Sequence, residues 1–243
     1  MYDADARGYI HSIYTGGMVD GPGIRTVVFV AGCSLRCLYC HNPDTWYRMR
    51  GNKKTVAEIL AEVQKYSSYY KFSGGGITLS GGEPSDQPYF STELLKACRE
   101  NGIHTVLDTS GCASVEIATE ILPNVDLLLL DFKAFEPKNY LRLTGQKIDR
   151  PILTLKRAAD LNVPVWVRLV LVPGITDNFD ELRKMADFLS EFTNIEKIDV
   201  LPFHKHGEYK WDELGYEYAL ADISPPSEEL VAQVQEIFRT PKG

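Results

Sequence analysis

Arg25-Thr-Val-Val-Phe-Val-Ala31 runs directly into Gly32-Cys33-Ser-Leu-Arg-Cys37-Leu-Tyr-Cys40-His41, so a β-branched apolar run delivers three cysteines onto one loop. The spacing is Cys-x3-Cys-x2-Cys. Three closely spaced thiolates can each hold one iron of a cubane cluster, which leaves the fourth iron open to a small molecule. Rival readings use the same residues less well. A structural zinc site wants four ligands, and His41 is adjacent to Cys40 and badly placed for joint chelation. Cys37-Leu-Tyr-Cys40-His41 also matches a haem-attachment pattern, but that chemistry needs export. A thioredoxin-like Cys-x-x-Cys would leave Cys33 unexplained.

The remaining cysteines support a metal reading over a disulfide framework. Five cysteines are an odd number, and Cys98 and Cys112 stand alone, as ordinary half-buried thiols would. The composition is that of a globular protein, with 44% hydrophobic and 24% charged residues, which excludes disordered, collagen-like and coiled-coil chains. A net charge of −7 argues against nucleic acid as a partner, although residues 1–80 alone carry nine basic and six acidic residues. Met1–Arg7 lacks the basic-then-apolar form of a signal peptide, and Asp126 and Arg168 interrupt the two most apolar stretches. The expectation is a cytoplasmic enzyme with no membrane partner.

Outward from the cysteine loop, strand-like and helix-like runs alternate. Strands are expected at 25–31, 76–80, 103–109, 125–131, 164–172 and 195–202, near-continuous apolar runs that suit parallel strands buried on both faces. Helices are expected at 55–66, 87–101, 114–122, 151–162, 177–191 and 227–239; the first opens with a Thr55…Glu58 capping box. Six β–α units imply a parallel sheet with outer helices. The pattern alone allows a full or partial barrel and equally a doubly wound sheet. Either places chemistry at the C-terminal ends of the strands.

Further motifs fall at those ends. Ser80-Gly81-Gly82-Glu83-Pro84 closes the second strand, where glycines would let the backbone approach a ligand and Glu83 could accept from a cationic amine; an ordinary turn is the alternative. Asp108 closes the third strand, and Asp131-Phe132-Lys133 closes the fourth. The two carboxylates could bind a cation, or Asp131 could pair with Lys133. Arg168, inside an apolar strand, is costly to bury unpaired and calls for a carboxylate partner. His204 falls just beyond the sixth strand. Asp20-Gly-Pro-Gly-Ile-Arg25 precedes the first strand, where Pro22 and two glycines also make an ordinary turn.

With these residues in place, the chain resembles the radical SAM superfamily, whose signature is this cysteine loop after the first strand of a partial (β/α)6 TIM-like barrel, followed by a GGEP element. The Asp20–Arg25 motif, Cys40-His41-Asn42 and Leu201-Pro202-Phe203-His204 narrow the resemblance to the glycyl-radical-enzyme activases, of the type acting on pyruvate formate-lyase. Many activases carry a cysteine-rich insert after the first loop. No cysteine stands between Cys40 and Cys98, so one cluster is expected, and the chain is longer than the compact activases of anaerobic ribonucleotide reductase.

The resemblance implies a single radical SAM core domain over 1–243, with an N-terminal extension (about 1–24) and a C-terminal helix (about 224–240). It implies one [4Fe–4S] cluster on Cys33, Cys37 and Cys40. S-adenosylmethionine would then be held by Tyr39, Cys40, His41, Gly81, Gly82, Glu83, Asp108, Asp131, Phe132, Lys133, Arg168 and His204. A monovalent cation at Asp108 and Asp131 is a further implication, as is contact of Asp20 with a substrate peptide. Tyr39 and His41 could pack on the cofactor or simply shield the cluster. The implied partners are pyruvate formate-lyase as protein substrate and a flavodoxin-like reductant, acting on a monomer. Trp211 and the Asp20 turn are expected to border a groove for the protein partner.

Overall fold

The structure, a computed structural model, describes residues 1–239. The chain opens with β1 (Arg7–Gly17), β2 (Arg25–Val30) and β3 (Asn52–Thr55), followed by α1 (Val56–Gln64) and α2 (Ser67–Ser73). Next come β4 (Gly76–Gly81), α3 (Pro88–Glu100), β5 (His104–Thr109), α4 (Val115–Ile121), β6 (Leu127–Asp131), α5 (Pro137–Thr144) and α6 (Asp149–Asp160). It continues through β7 (Val165–Leu171), α7 (Phe179–Ser190), β8 (Ile195–Pro202), α8 (Glu208–Glu213) and α9 (Glu228–Phe238).

All six expected parallel strands are present, as β2 and β4 to β8, and they neighbour one another in chain order. Two antiparallel strands extend the β2 edge, giving the order β3-β1-β2-β4-β5-β6-β7-β8. The helices form a ring on one side: α1 packs on α3, α3 on α4, α4 on α6, and α7 on α9. One helical layer outside an in-order parallel sheet is the partial-barrel arrangement and not the doubly wound one. Among the described residues no helix is long and apolar enough to cross a membrane.

Local chemistry explains the elements. In α1 the Thr55 hydroxyl accepts from Glu58 N–H while the Glu58 carboxylate accepts from Thr55 N–H at 2.6 Å, and Val56, Ile59, Leu60 and Val63 are buried. Five elements lie outside the sequence expectation. β1 falls in the stretch expected as an N-terminal extension; its alternating burial at Gly8 and Ile10 fades into half-exposed residues, so it offers no continuous apolar run. β3, α2, α5 and α8 are short, between four and eight residues. The expected C-terminal helix is α9, and position 240 of its anticipated range lies outside the described residues.

The barrel interior has a polar floor built from the Asp20–Arg25 motif. Arg25 is fully buried; its Nε donates to Thr78 Oγ1 at 2.7 Å and Nη1 to the Pro22 carbonyl at 2.8 Å. Thr78 Oγ1 in turn donates to the Asp20 carbonyl at 2.7 Å. Burial lowers the Arg25 guanidinium to about 10. Gly23 has φ +67°, and a Cβ there would lie 2.4 Å from Gly75 N. The Gly-Pro-Gly turn is therefore folded inward against the barrel.

Candidate active site

Each functional side chain is aimed by strand periodicity. On β6, Leu127, Leu129 and Asp131 share a face, and on β7 Trp166, Arg168 and Val170 share one. The lower positions of this inner face, Val106, Leu127, Leu129 and Trp166, form a small apolar cluster. The upper positions are polar. Asp131 and Arg168 are register partners, and Arg168 Nε donates to Asp131 Oδ1 at 2.9 Å. Arg168 Nη2 donates to Asp108, and Ser80 Oγ donates to the other Asp108 oxygen at 2.6 Å. Lys133 Nζ reaches Asp131 Oδ2 at 2.8 Å. Arg168 thus has the carboxylate partners that its sequence setting required, and Asp131 pairs with Lys133.

These charges set one another. Burial opposes ionisation of Asp131, but Arg168 and Lys133 outweigh it and hold the carboxyl down at about 2. Asp108 is raised to about 6 by burial, with Asp131 adding to the rise and Arg168 opposing it. Burial works against the Lys133 ammonium, yet Asp131 keeps its value well above the ordinary one.

Above this network lies the cysteine loop, fastened by its backbone. Gly32 and Cys33 donate to the carbonyls of Thr45 and Trp46, and Arg36 and Leu38 donate to Thr144 and Leu143 at the end of α5. Trp211 Nε1 donates to the Cys40 carbonyl at 2.9 Å. Cys33, Cys37 and Cys40 face one cavity of about 420 Å³ together with Ser80–Glu83, Asp108, Asp131, Lys133, Arg168 and His204. All three are free thiols, and burial pushes each of them up, Cys37 to about 12.

The donor set fits an iron–sulfur cluster. Three buried or half-buried thiols with raised values become thiolates only against a compensating cation. Among the described residues, no three Cys, His, Asp or Glu side chains form a group that could hold a single metal ion. Three sulfurs spread around one cavity suit one iron each. The Tyr39 hydroxyl is buried without a hydrogen-bond partner among the described residues, its ring 5.6 Å from Lys133 Nζ. His41 stacks on His204 at 4.2 Å between ring centroids, and burial lowers both.

Several expectations change on contact with the geometry. Glu83 is 1% exposed and already accepts five hydrogen bonds: Oε1 from Ser85 N–H, Ser85 Oγ and Thr109 Oγ1, and Oε2 from Ser110 N–H and Oγ, all within 3.0 Å. It knits two strand ends together, with both carboxylate oxygens engaged by the protein's own donors. Gly82 lines the cavity and also packs on backbone: a Cβ there would lie 2.2 Å from the Gly32 carbonyl oxygen. Phe132 alternates outward from Asp131 and packs on Phe135 and Phe188, so its ring does not line the cavity. Asp20 does not border the mouth; its backbone bonds Thr78, two residues below the cavity-lining Ser80.

Trp211 is 6% exposed and clamps the cysteine loop, packing edge-on against Trp46, so it does not shape an open groove. Cys98 and Cys112 are buried, at 0% and 4% exposure, where half-burial was expected. The sequence reading gave no cavity role to Ser110, Leu35, Thr45, Trp46 or Val170, and it used Leu201 and Pro202 only as parts of a motif. Ser110 was recoverable from its place two residues past Asp108 at a strand end; the others look like core or turn residues in sequence.

Comparison with known proteins agrees with this geometry. The Radical SAM superfamily profile matches residues 27–189. A pyruvate formate-lyase-activating enzyme of Staphylococcus epidermidis is 42% identical over 234 residues, covering 93% of each chain. One of Staphylococcus aureus is 43% identical over 232 residues, covering 93% of this chain and 92% of the relative. Among solved structures, a domain of a pyruvate-formate lyase-activating enzyme from Bacteroides vulgatus superposes with TM-score 0.57 at 28% identity, covering 68% of this chain and 93% of that one. Streptococcus suis SuiB bound to its precursor peptide SuiA superposes with TM-score 0.67 at 20% identity over 86% of this chain and 45% of that one, a likeness of fold alone.

Proposed function

The chain belongs to the radical SAM superfamily, and from that premise we propose that it activates pyruvate formate-lyase under anaerobic conditions by generating a glycyl radical on that protein. The observation that carries the reading is the convergence of Cys33, Cys37 and Cys40 with the Ser80–Glu83 turn and the Asp108–Arg168–Asp131 network on one cavity. When bound, the [4Fe–4S] cluster supplies the electron that splits S-adenosylmethionine into methionine and a 5′-deoxyadenosyl radical able to take a hydrogen from a glycine α-carbon.

The chain's own residues bind, orient and exclude water. Cys33, Cys37 and Cys40 hold the cluster. Tyr39 and His41 flank it, and the stacked His41 and His204 rings wall the cavity on the β8 side. Asp108, Asp131, Lys133 and Arg168 form a preset charged floor for the polar ends of S-adenosylmethionine, while Gly81, Gly82 and Glu83 set the backbone that faces it. A monovalent cation at Asp108 and Asp131 would compete there with Arg168 and Lys133. Asp20 contacts the substrate peptide from below. The protein works as a cytoplasmic monomer supplied with electrons by a flavodoxin-like reductant.

Anaerobic electron paramagnetic resonance tests the reading. The reconstituted chain, mixed with pyruvate formate-lyase, S-adenosylmethionine and reductant, should produce a glycyl radical signal on the partner. Release of 5′-deoxyadenosine with no protein radical would sink the substrate assignment while leaving the cofactor chemistry standing.

A further inference from the structure

Gly207, Lys210 and Trp211 are spaced i, i+3, i+4 where α8 begins, which puts them on one side of a helical turn. That side lies against the segment carrying the third cysteine. A Cβ on Gly207 would sit 2.7 Å from the His41 Cα, so a side chain there would push the turn off. Lys210 Nζ donates to Asn42 Oδ1 at 2.9 Å and pairs with Asp44 at 3.1 Å. Trp211 Nε1 donates to the Cys40 carbonyl at 2.9 Å. One turn therefore fixes the stretch from Cys40 to Asp44 through both backbone and side chains.

Cys40, His41 and Asn42 line the cavity, whereas Gly207, Lys210 and Trp211 do not. The turn thus holds the cysteine segment from its far side, and the Cys40 carbonyl is drawn away from the cavity. The Cys40–His41 peptide is trans, and in a trans peptide the N–H lies opposite the C=O. Its His41 N–H end is accordingly directed to the cavity side. Trp211 is 6% exposed, with Trp46 edge-on at 5.1 Å and Tyr218 at 5.2 Å between ring centroids. Enclosed in this way, the indole holds one orientation, and its hydrogen bond is shielded from water, where such a bond is stronger.

A peptide dipole that presents its positive end favours an added electron at an iron–sulfur cluster, whose potential is set by nearby hydrogen bonds, charge and exposure. We propose that Trp211 is a positioning residue for the cluster. By holding the Cys40 carbonyl behind the loop, it keeps the positive end of the Cys40–His41 peptide toward the cavity and so raises the reduction potential. The inference rests on the ligand set proposed above. Reduction adds one electron to the cluster, the external donor is oxidised by one, and no atom is transferred.

The test is an anaerobic redox titration of the reconstituted full-length chain with dithionite and mediator dyes, read by electron paramagnetic resonance of the reduced cluster. Trp211→Phe keeps an aromatic ring and deletes the N–H. Its potential should fall by about 30–60 mV, a three- to tenfold change in the one-electron equilibrium at about 59 mV per tenfold. Tyr218→Leu loosens the packing around the same indole and leaves its N–H in place. That variant should lower the Tm of the apo chain with the potential unmoved. If Trp211→Phe takes up no cluster, position 211 is filled with benzothienylalanine, in which sulfur replaces the N–H within the same ring shape, and the same fall is expected. An unchanged potential after either N–H deletion overturns the proposal. So does an equal fall in Tyr218→Leu, which would assign the effect to packing. A fall confined to the N–H deletions, with no glycyl radical formed on pyruvate formate-lyase by the unaltered chain, leaves the positioning role standing and sinks the substrate reading.

Discussion

Gly82 and Gly32 touch backbone to backbone: a Cβ on Gly82 would lie 2.2 Å from the Gly32 carbonyl oxygen, and Glu83 N–H donates to that same oxygen at 2.8 Å. The turn after β4 and the start of the cysteine loop are therefore one unit. Gly82→Ala should destabilise the apo chain by about 1–3 kcal/mol, since the clash is with backbone that cannot rotate away. At about 2–4 °C per kcal/mol for a chain of this size, calorimetry should show the drop before any ligand is added. An unchanged Tm with weakened S-adenosylmethionine affinity would return Gly82 to the role of a ligand-approach glycine.

Glu83 makes the same unit rigid from the other side. Glu83→Gln replaces one acceptor oxygen by a donor that must face Ser85, Thr109 or Ser110 groups already donating. Leaving buried donors unsatisfied costs about 1–3 kcal/mol. The variant should lose stability and cluster occupancy together. Wild-type stability with selective loss of S-adenosylmethionine binding would show that the carboxylate meets the ligand.

The cysteine assignments separate cleanly. Alanine at Cys33, Cys37 or Cys40 should abolish the absorbance of the anaerobically reconstituted cluster. Cys98→Ala and Cys112→Ala should retain it, with a small stability loss from the buried volume removed. Full absorbance without Cys37 would overturn the ligand set.

The Asp108–Asp131 pair predicts opposite pH slopes. Asp131 is depressed to about 2, so its stabilising contribution is complete above the ordinary carboxylate range and is lost as pH falls from about 4 through 2. Asp108 is raised to about 6, so the folded state holds a proton that the unfolded chain releases, and its contribution declines as pH rises from about 4 through 6. The difference in urea midpoint between the unaltered chain and Asp108→Asn should therefore shift steadily between pH 4 and 6.5. A constant difference across that window would show that Asp108 titrates as an ordinary carboxyl.

What was legible in the sequence follows from which forces act locally. The six parallel strands are readable because strands buried on both faces are written as unbroken Val, Ile and Leu, and the cysteine spacing is a local property of one loop. Arg168 announces its carboxylates because an unpaired guanidinium in an apolar strand is too costly. The role of Gly82 is not local: it depends on Gly32, fifty residues earlier and brought alongside only by the β2–β4 ladder. Glu83 likewise depends on Ser110 across the β4–β5 pair, and Trp211 on a loop 171 residues away. β1 is hidden because beyond Ile10 its residues are half-exposed or exposed up to Gly17, with pairing on both sides taking the place of a buried apolar run.

Asp20 carries the last prediction. Its backbone is fixed by Thr78 inside the barrel, but among the described residues no donor reaches its carboxylate. Burial raises that carboxyl, while Arg168 and Arg25 pull it the other way. It therefore sits beneath the cavity as an acceptor with spare capacity, in a place that a peptide could reach only by entering the barrel from its open side. A peptide N–H would satisfy it, and a glycine brought to near-contact with the 5′ carbon must be held by such fixed groups. Asp20→Ala should thus depress activation of intact pyruvate formate-lyase by an order of magnitude or more, while uncoupled cleavage of S-adenosylmethionine changes little. Asp20→Asn keeps the acceptor oxygen and should recover most of the activation. Equal losses in both assays for Asp20→Ala, with Asp20→Asn no better, would make Asp20 part of the barrel floor, stabilising Arg168 and Arg25 and contacting no substrate.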